Sequence, residues 1–106
     1  MNQLNSLILE GTVTKDAVYK DNKASFSISV SRYYKDTNGE SGEIKSHFNV
    51  EAGGVLAEKV HDKLIKDREV RIVGQLRSKQ VEDKHVAYIL AEHIELRPAR
   101  NLKEED

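Results

Sequence analysis

A glycine stands in the middle of a strand-like stretch at residues 70–79, and it constrains the fold more than any other feature of the chain. Apolar and outward-facing positions alternate along this stretch until Gly74 interrupts them. A glycine inside a strand usually marks a bulge or a tight bend, as at the corner of a small barrel. Arg77 and Lys79 follow the bend among apolar residues. A strand of this kind can give one face of a sheet affinity for a polyanion.

The composition indicates one domain whose charges nearly balance. A chain of 106 residues can fold around its own core, and it contains no cysteine for a disulfide or a thiolate metal site. The formal net charge is -1, so binding to nucleic acid must depend on a local patch. The sequence has no apolar run of membrane-spanning length and no pattern of an export signal. We therefore expect a soluble, cytoplasmic protein.

Several segments alternate between apolar and polar residues, which is typical of strands with one buried face. The clearest alternation places Phe26, Ile28 and Val30 on one face and serines on the other. The predicted strands cover residues 7–13, 18–23, 25–31, 45–52, 71–79 and 86–96.

One helix is predicted between the third and the fourth long strand. Apolar residues recur at helical spacing from 55 to 66, and Leu64 and Ile65 belong to the same stripe. This order of elements, with glycines at the corners, is the pattern of the OB-fold, a five-stranded Greek-key barrel. A generic α+β sandwich is the alternative. We predict an all-β OB-fold barrel over residues 1–98 and a short, polar, disordered tail at 99–106.

Five separate segments, in order, resemble the bacterial single-stranded DNA-binding protein family. They read MNQLNSLILEG, FSISVSRYYKD, HFNVEAGGVLAEKV, VRIVGQLRSKQVED and VAYILAEHIELRP. The resemblance covers about nine-tenths of the chain and implies OB-fold subunits, usually homotetramers. Such proteins bind single-stranded DNA with little sequence preference, and they protect it during replication, recombination and repair. The resemblance implies no catalytic residue and no cofactor.

The family commonly has an aromatic residue at the end of its second long strand, and Tyr33 matches that position. Arg32, Tyr34 and Lys35 surround it, so the segment combines rings that can stack on bases with cations that can contact phosphates. By alternation Tyr33 shares the serine face and Tyr34 the core face, which favours Tyr33 as the stacking residue. The alternative is that both tyrosines simply pack at a strand end.

The other stacking positions of the family have lost most of their rings here. His47 occupies the position in the third strand and can stack on bases, although more weakly than tryptophan. Gly53 and Val81 occupy the two remaining positions. The resemblance therefore implies that this protein binds DNA with less stacking than a typical member. Its affinity should depend more on cations and be more sensitive to salt.

Seven cations fall on segments that the family uses for DNA. Arg77 and Lys79 are the strongest candidates, because they share one face of the same strand. For each cation the alternative is an ordinary solvated side chain. The candidate cations are Arg32, Lys35, Lys45, Arg71, Arg77, Lys79 and Lys84.

The tail and the lost rings leave a second function open. Family tails usually end in an acidic run closed by Pro-Phe and recruit repair enzymes, whereas this sequence ends in acidic residues without the apolar tip. Either the natural tail is longer than this sequence or the protein lacks the docking peptide, and in the second case recruitment of replication and repair proteins is in doubt. An OB-fold adaptor of a primosome-like complex with weak DNA binding is the alternative function. We expect an oligomer, a homotetramer or a dimer, in which residues 4–11 and the last strand make contacts.

No motif for catalysis or metal binding is present. The four histidines lack the spacing of metal ligands, and there is neither a phosphate-binding Gly-Lys-Ser/Thr loop nor a Gly-x-Ser-x-Gly nucleophile elbow. We therefore predict a binding protein without enzymatic activity, cofactor or metal.

Overall fold

The computed structural model describes residues 2–98, which are mostly strands with one short helix. The predicted tail at 99–106 lies outside the described residues. The elements in chain order are β1 (Leu7–Val13), β2 (Val18–Lys20), β3 (Lys23–Lys35), β4 (Ser41–Gly53), α1 (Gly54–Val60), a 3-10 turn (His61–Lys63), β5 (Glu69–Val81) and β6 (Lys84–Leu96).

Five strands close into a barrel in the order β1, β5, β6, β4, β3, and β3 pairs again with β1. The β1–β3 pairing is short and includes Val13 opposite Ile28. A parallel pairing of β4 with β6, including Val50 opposite Ile89, completes the circle. The short β2 adds to the outer edge of β3. The predicted five-stranded barrel with one helix after its third long strand is confirmed.

The barrel interior is filled by the apolar face of each alternating strand. Ile28 and Ile72 are fully buried, and Val50 and Ile89 are buried to within 1% of full coverage. At about 25 cal/mol per Å² of apolar surface removed from water, these side chains are the main source of the barrel's stability. The alternation that buries them also leaves the intervening side chains of β3 and β4 on the outside.

Gly74 lies where the sequence predicted a bend. The register of β5 and β6 shifts between Val73 and Gly74, as in a β-bulge. A Cβ at Gly74 would lie less than 3.0 Å from the backbone carbonyl oxygen of Leu90. Only glycine allows β6 to approach β5 this closely, so the bend prediction is confirmed and has a steric cause.

The helix is shorter than the predicted range of 55–66. After α1 and the 3-10 turn, the chain leaves helical geometry, and the Leu64 carbonyl accepts a hydrogen bond from the Ala17 amide at 2.8 Å. The Lys66 amide donates to the Asp16 carboxylate at 2.9 Å. These long-range bonds replace the helical ones. Leu64 is still buried, but the prediction that Ile65 joins its stripe is wrong, because Ile65 is about half exposed.

Two hairpins extend beyond the barrel. Their strands are longer than the apolar alternation predicted. We call residues 31–45 the β3–β4 arm and residues 76–88 the β5–β6 arm. Every residue of both arms is exposed or half-buried. Apolar and polar residues alternate only where one face of a strand is buried, so this pattern cannot detect strands with both faces exposed.

Candidate nucleic-acid interface

The outer face of β3 and β4 is a polar surface that continues onto the β3–β4 arm. Ser27 lies opposite Asn49, Ser29 opposite His47, and farther out Tyr33 lies opposite Glu43. Directly opposed residues of an antiparallel pair share one face. Tyr33 and His47 therefore lie on the same side of the sheet.

Tyr33 presents its ring to solvent at the far end of this surface. The residue is 76% exposed. The Glu43 carboxylate, through a hydrogen bond and its negative charge, raises the pKa of the Tyr33 phenol. The side chain is thus kept neutral, and its flat faces are accessible to a base.

Tyr34 lies on the opposite side of the arm. It is paired with Gly42, and its ring occupies the space that a Gly42 side chain would fill. Arg32 shares this side and lies opposite Ile44. Of the residues predicted around Tyr33, the structure brings Lys35, Lys45 and His47 to the Tyr33 side and puts Arg32 and Tyr34 on the other side.

A groove of about 480 Å³ lies between the β5–β6 arm and the barrel parts of β3 and β4 from which the β3–β4 arm extends. We call it the inter-arm groove. Its lining combines polar, charged and apolar side chains, among them Ser25, Asn49, Glu51, Lys79, Val86 and Tyr88. The polar surface that carries Tyr33 leads into this groove through Asn49.

Lys79 spans the inter-arm groove. Its ammonium donates a hydrogen bond to the Glu51 carboxylate and lies 4.9 Å from the centre of the Tyr88 ring. The hydrogen bond and charge of Glu51 raise the pKa of Lys79, so the amine is protonated throughout the physiological range. Lys23 approaches the other Glu51 oxygen at 3.6 Å. One carboxylate thus lies between two cations.

Arg77 and Lys84 extend the positive charge along the β5–β6 arm. Arg77 lies directly opposite Tyr88, and its Nε donates to the Gln75 amide oxygen at 3.0 Å. Lys84 follows the turn at the exposed tip, opposite Val81. Arg77, Lys79 and Lys84 are therefore all on the arm that borders the groove.

Arg71 is not brought to the groove, although it is on the same strand. It precedes Lys79 by eight positions in β5, roughly 27 Å along an extended strand. Its guanidinium donates to Glu10 at 2.8 Å and lies 3.4 Å from Glu95. Arg97 also donates to Glu10 at 2.8 Å. The charge of Arg71 is thus already compensated by two carboxylates.

Sequence reasoning missed Glu51 and Tyr88. Glu51 alternates with the inward-facing Val50 and Ala52 and lies opposite Ser25, so its outward direction could have been predicted from the sequence. Tyr88 lies among apolar residues of β6 that suggested a buried strand. Neither pattern indicates that Lys79 connects the two residues, because Glu51 is 28 positions from Lys79 and lies on β4.

Among residues 2–98, no group of three histidine, cysteine, aspartate or glutamate side chains could hold a metal ion. Within the same range, no helix reaches the length and hydropathy of a bilayer span.

Comparison with known proteins gives consistent matches. The model of the single-strand binding protein family matches residues 4–96. Single-stranded DNA-binding protein 2 from Chlorobaculum tepidum is 33% identical over 85 residues, which cover 74% of this chain and 57% of that protein. The chain thus spans little more than half the length of this curated relative.

Solved structures show the same fold. A deletion mutant of the single-stranded DNA binding protein from Thermus aquaticus matches with a TM-score of 0.78 at 24% identity, covering 92% of this chain and 52% of that one. A Plasmodium falciparum SSB in complex with single-stranded DNA matches with a TM-score of 0.75 at 22% identity, covering 91% and 95%. With the family match over nearly all described residues, these findings show that the chain belongs to the single-strand binding protein family.

Proposed function

We propose that this protein binds single-stranded DNA, with little sequence preference, along the Tyr33 face of the β3–β4 arm and through the inter-arm groove. The observation that carries the proposal is the exposed Tyr33 ring on a polar strand face that leads into a groove bordered by cations. Stacking rings and a positive groove are what strand binding without base readout requires. The function is binding and not catalysis.

The cations divide into those that can contact a bound strand and those that cannot do so without rearrangement. Lys35, Lys45, Arg77, Lys79 and Lys84 border the Tyr33 face or the groove. Arg32 can contribute from the reverse side of the arm, with Tyr34. Arg71 is the weakest member of the predicted set, because Glu10 and Glu95 already hold it.

Fewer stacking rings shift the balance of binding energy toward phosphate contacts. Gly53 and Val81 offer no ring at two positions where the family often has one, and His47 is a weak substitute. Each stacked base contributes about 1–3 kcal/mol. Binding should therefore weaken steeply with salt, since counterion release supplies a larger share of the affinity.

The barrel also has a surface suited to self-association. Residues 7–12 pair with β5 on one edge, and only Thr12 and Val13 pair with β3 on the other, within the described part of the chain. Ile8, on this segment, is 65% exposed. A partly unpaired strand edge with apolar side chains favours pairing with another chain. We propose a homo-oligomer, a tetramer or a dimer, with contacts from residues 4–11 and β6.

The cellular role follows from the binding activity. We propose that residues 1–98 form the DNA-binding domain and protect exposed strands during replication, recombination and repair, in the cytoplasm at the nucleoid.

A titration tests the proposal. A fluorescent thymidine oligonucleotide, long enough to contact several subunits, is titrated with the protein at two salt concentrations, with a duplex of the same length as control. We expect saturable binding that prefers the single strand and weakens with salt. No saturable binding at low salt would overturn the proposal and favour an adaptor whose partners are proteins.

A further inference from the structure

Tyr88, Lys79 and Glu51 lie side by side on the outer face of three adjacent strands. Lys79 is on β5, Tyr88 on the neighbouring β6 and Glu51 on β4, which pairs with β6. To reach Glu51, the Lys79 side chain passes over the strand between them and lies 4.9 Å from the centre of the Tyr88 ring. The cluster therefore covers a ring that borders the inter-arm groove.

A carboxylate inside this groove needs an explanation, because it repels phosphates. The Glu51 side chain is only 14% exposed, and it has Lys79 on one oxygen and Lys23 at 3.6 Å from the other. Two lysines and one carboxylate leave one net positive charge. Glu51 thus reduces the attraction of the groove for a polyanion and fixes where Lys79 lies.

The remaining walls of the groove suit a flat, partly apolar group. Val18 and Val86 contribute apolar surface, and Ser25 and Asn49 contribute hydrogen-bonding groups. A volume of about 480 Å³ is within the usual range of small-ligand pockets. Aromatic and polar groups beside a cation form the combination that accepts a nucleotide with its phosphate.

We infer that the inter-arm groove is a nucleotide subsite in which Tyr88 is the stacking ring, and that Glu51 holds Lys79 over this ring until a strand enters. On entry, Lys79 exchanges the Glu51 carboxylate for a phosphate, and a base takes its place on Tyr88. This inference rests on the proposed function and adds a second ring to Tyr33. It also supplies stacking on the arm where Val81 offers none.

Photocrosslinking locates the bound base. A thymidine oligonucleotide carrying 5-iodouracil is irradiated with the wild-type protein, and the adducts are mapped by mass spectrometry. We expect adducts on Tyr88 as well as on Tyr33. Binding without any adduct on Tyr88 would overturn the subsite and leave the proposed function intact, whereas the absence of binding would overturn both.

Affinities of matched variants test the ring. Tyr88→Leu should weaken binding roughly 5-fold, the lower end of the cost of one stacked base, because the base must also displace Lys79, while Tyr88→Phe should retain wild-type affinity. Tyr19→Leu is the control, since Tyr19 stacks on His61 with ring centres 3.9 Å apart. Wild-type affinity of a folded Tyr88→Leu variant, established by its thermal melt, would overturn the inference.

The role of Glu51 has a separate test. In Glu51→Gln, Lys79 no longer has to leave a carboxylate, so binding should be tighter at low salt. The slope of log affinity against log salt should steepen by up to about 0.7, the value for one more phosphate contact with a single strand. An unchanged affinity and slope would show that Glu51 does not restrain Lys79.

Discussion

The two arms of the molecule are built from strands of equal length but present their rings in opposite ways. The β3–β4 hairpin pairs 13 residues with 13 without interruption, and the β5–β6 hairpin has a register shift at Gly74. The first arm ends in a loop at 36–40, where Asp36 accepts two backbone hydrogen bonds at 2.9 Å. It leaves Tyr33 exposed, whereas Lys79 of the second arm covers Tyr88.

The difference shows that two similar hairpins can present an aromatic ring in two ways. The ring is either exposed to solvent or covered by a side chain that a ligand must displace. A base that reaches Tyr33 displaces only water and the hydrogen bond that the Tyr33 hydroxyl donates to Glu43. A base that reaches Tyr88 displaces a cation that is itself bound to a carboxylate. Stacking on Tyr33 therefore contributes nearly its full free energy to binding. Stacking on Tyr88 contributes less, because the free energy of the lost Lys79 contacts must be subtracted.

The largest effect should come from the bend that distinguishes the second arm. Gly74→Ser places a Cβ against the Leu90 carbonyl oxygen, and backbone atoms cannot rotate away. We expect a loss of about 2–3 kcal/mol in the free energy of unfolding, measured by chemical denaturation. Gly53→Ser is the control, since a Cβ there meets nothing within 4 Å and a serine can cap α1. Equal stability of the two variants would show that the bend does not need glycine.

Removal of the open ring should have the next largest effect. Tyr33→Ala should weaken binding of a thymidine oligonucleotide by about 1–3 kcal/mol, the contribution of one stacked base. Tyr33→Phe keeps the ring and should bind as the wild type does. Fluorescence titrations of the three proteins measure the difference, and an alanine variant with unchanged affinity would remove Tyr33 from the interface.

Two arginines of β5 distinguish the second arm, which contains Arg77, from the barrel, which contains Arg71. Arg77→Ala should lower the slope of log affinity against log salt by about 0.7, as expected when one phosphate contact is lost. Arg71→Ala should leave the slope unchanged, because Glu10 and Glu95 already compensate that charge. Titrations at several salt concentrations measure both slopes. A lower slope for Arg71→Ala would extend the interface to the barrel base.

The smallest effect concerns the ion pairs of Glu10 with Arg71 and Arg97 in the barrel. A hydrogen bond and the charge of Arg71 lower the pKa of Glu10 from its ordinary value of 4.5. The ionised Glu10 carboxylate therefore stabilises the folded protein fully above pH 4.5. This contribution is lost as the pH falls through the lowered pKa of the folded state. Below pH 5, the melting temperature should fall more steeply with decreasing pH for the wild type than for Glu10→Gln. Parallel curves would show that the pair contributes nothing.

The barrel was predictable because burial imposes a period on the sequence. Phe26 and Ile28 alternate with serines and are buried as expected, and Gly74 marks the bend at the right position. The ends of the strands and of the helix were not predictable. The arms bury neither face, and the chain leaves α1 to bond with Asp16 and Ala17, which no local pattern reveals.

The candidate interface was only partly predictable, for a similar reason. Alternation alone placed Tyr33 outward and apart from Tyr34. It could not separate Arg71 from Arg77, which have the same parity on the same strand. Their difference lies in Glu10, which is 61 positions from Arg71. Likewise the Lys79–Glu51 contact joins residues 28 positions apart, so charge compensation appears only when the chain is folded.

The β3–β4 arm has no buried side chains, so binding of DNA to Tyr33 and the folding of the arm should depend on each other. Residues 31–45 are held mainly by the hydrogen bonds of their ladder, with both faces wet. Segments of this kind open more readily than the barrel to which they belong. A strand stacked on Tyr33 should therefore slow amide hydrogen exchange in the arm and leave the barrel amides unchanged. On warming, the arm should fray and release DNA before the barrel itself unfolds.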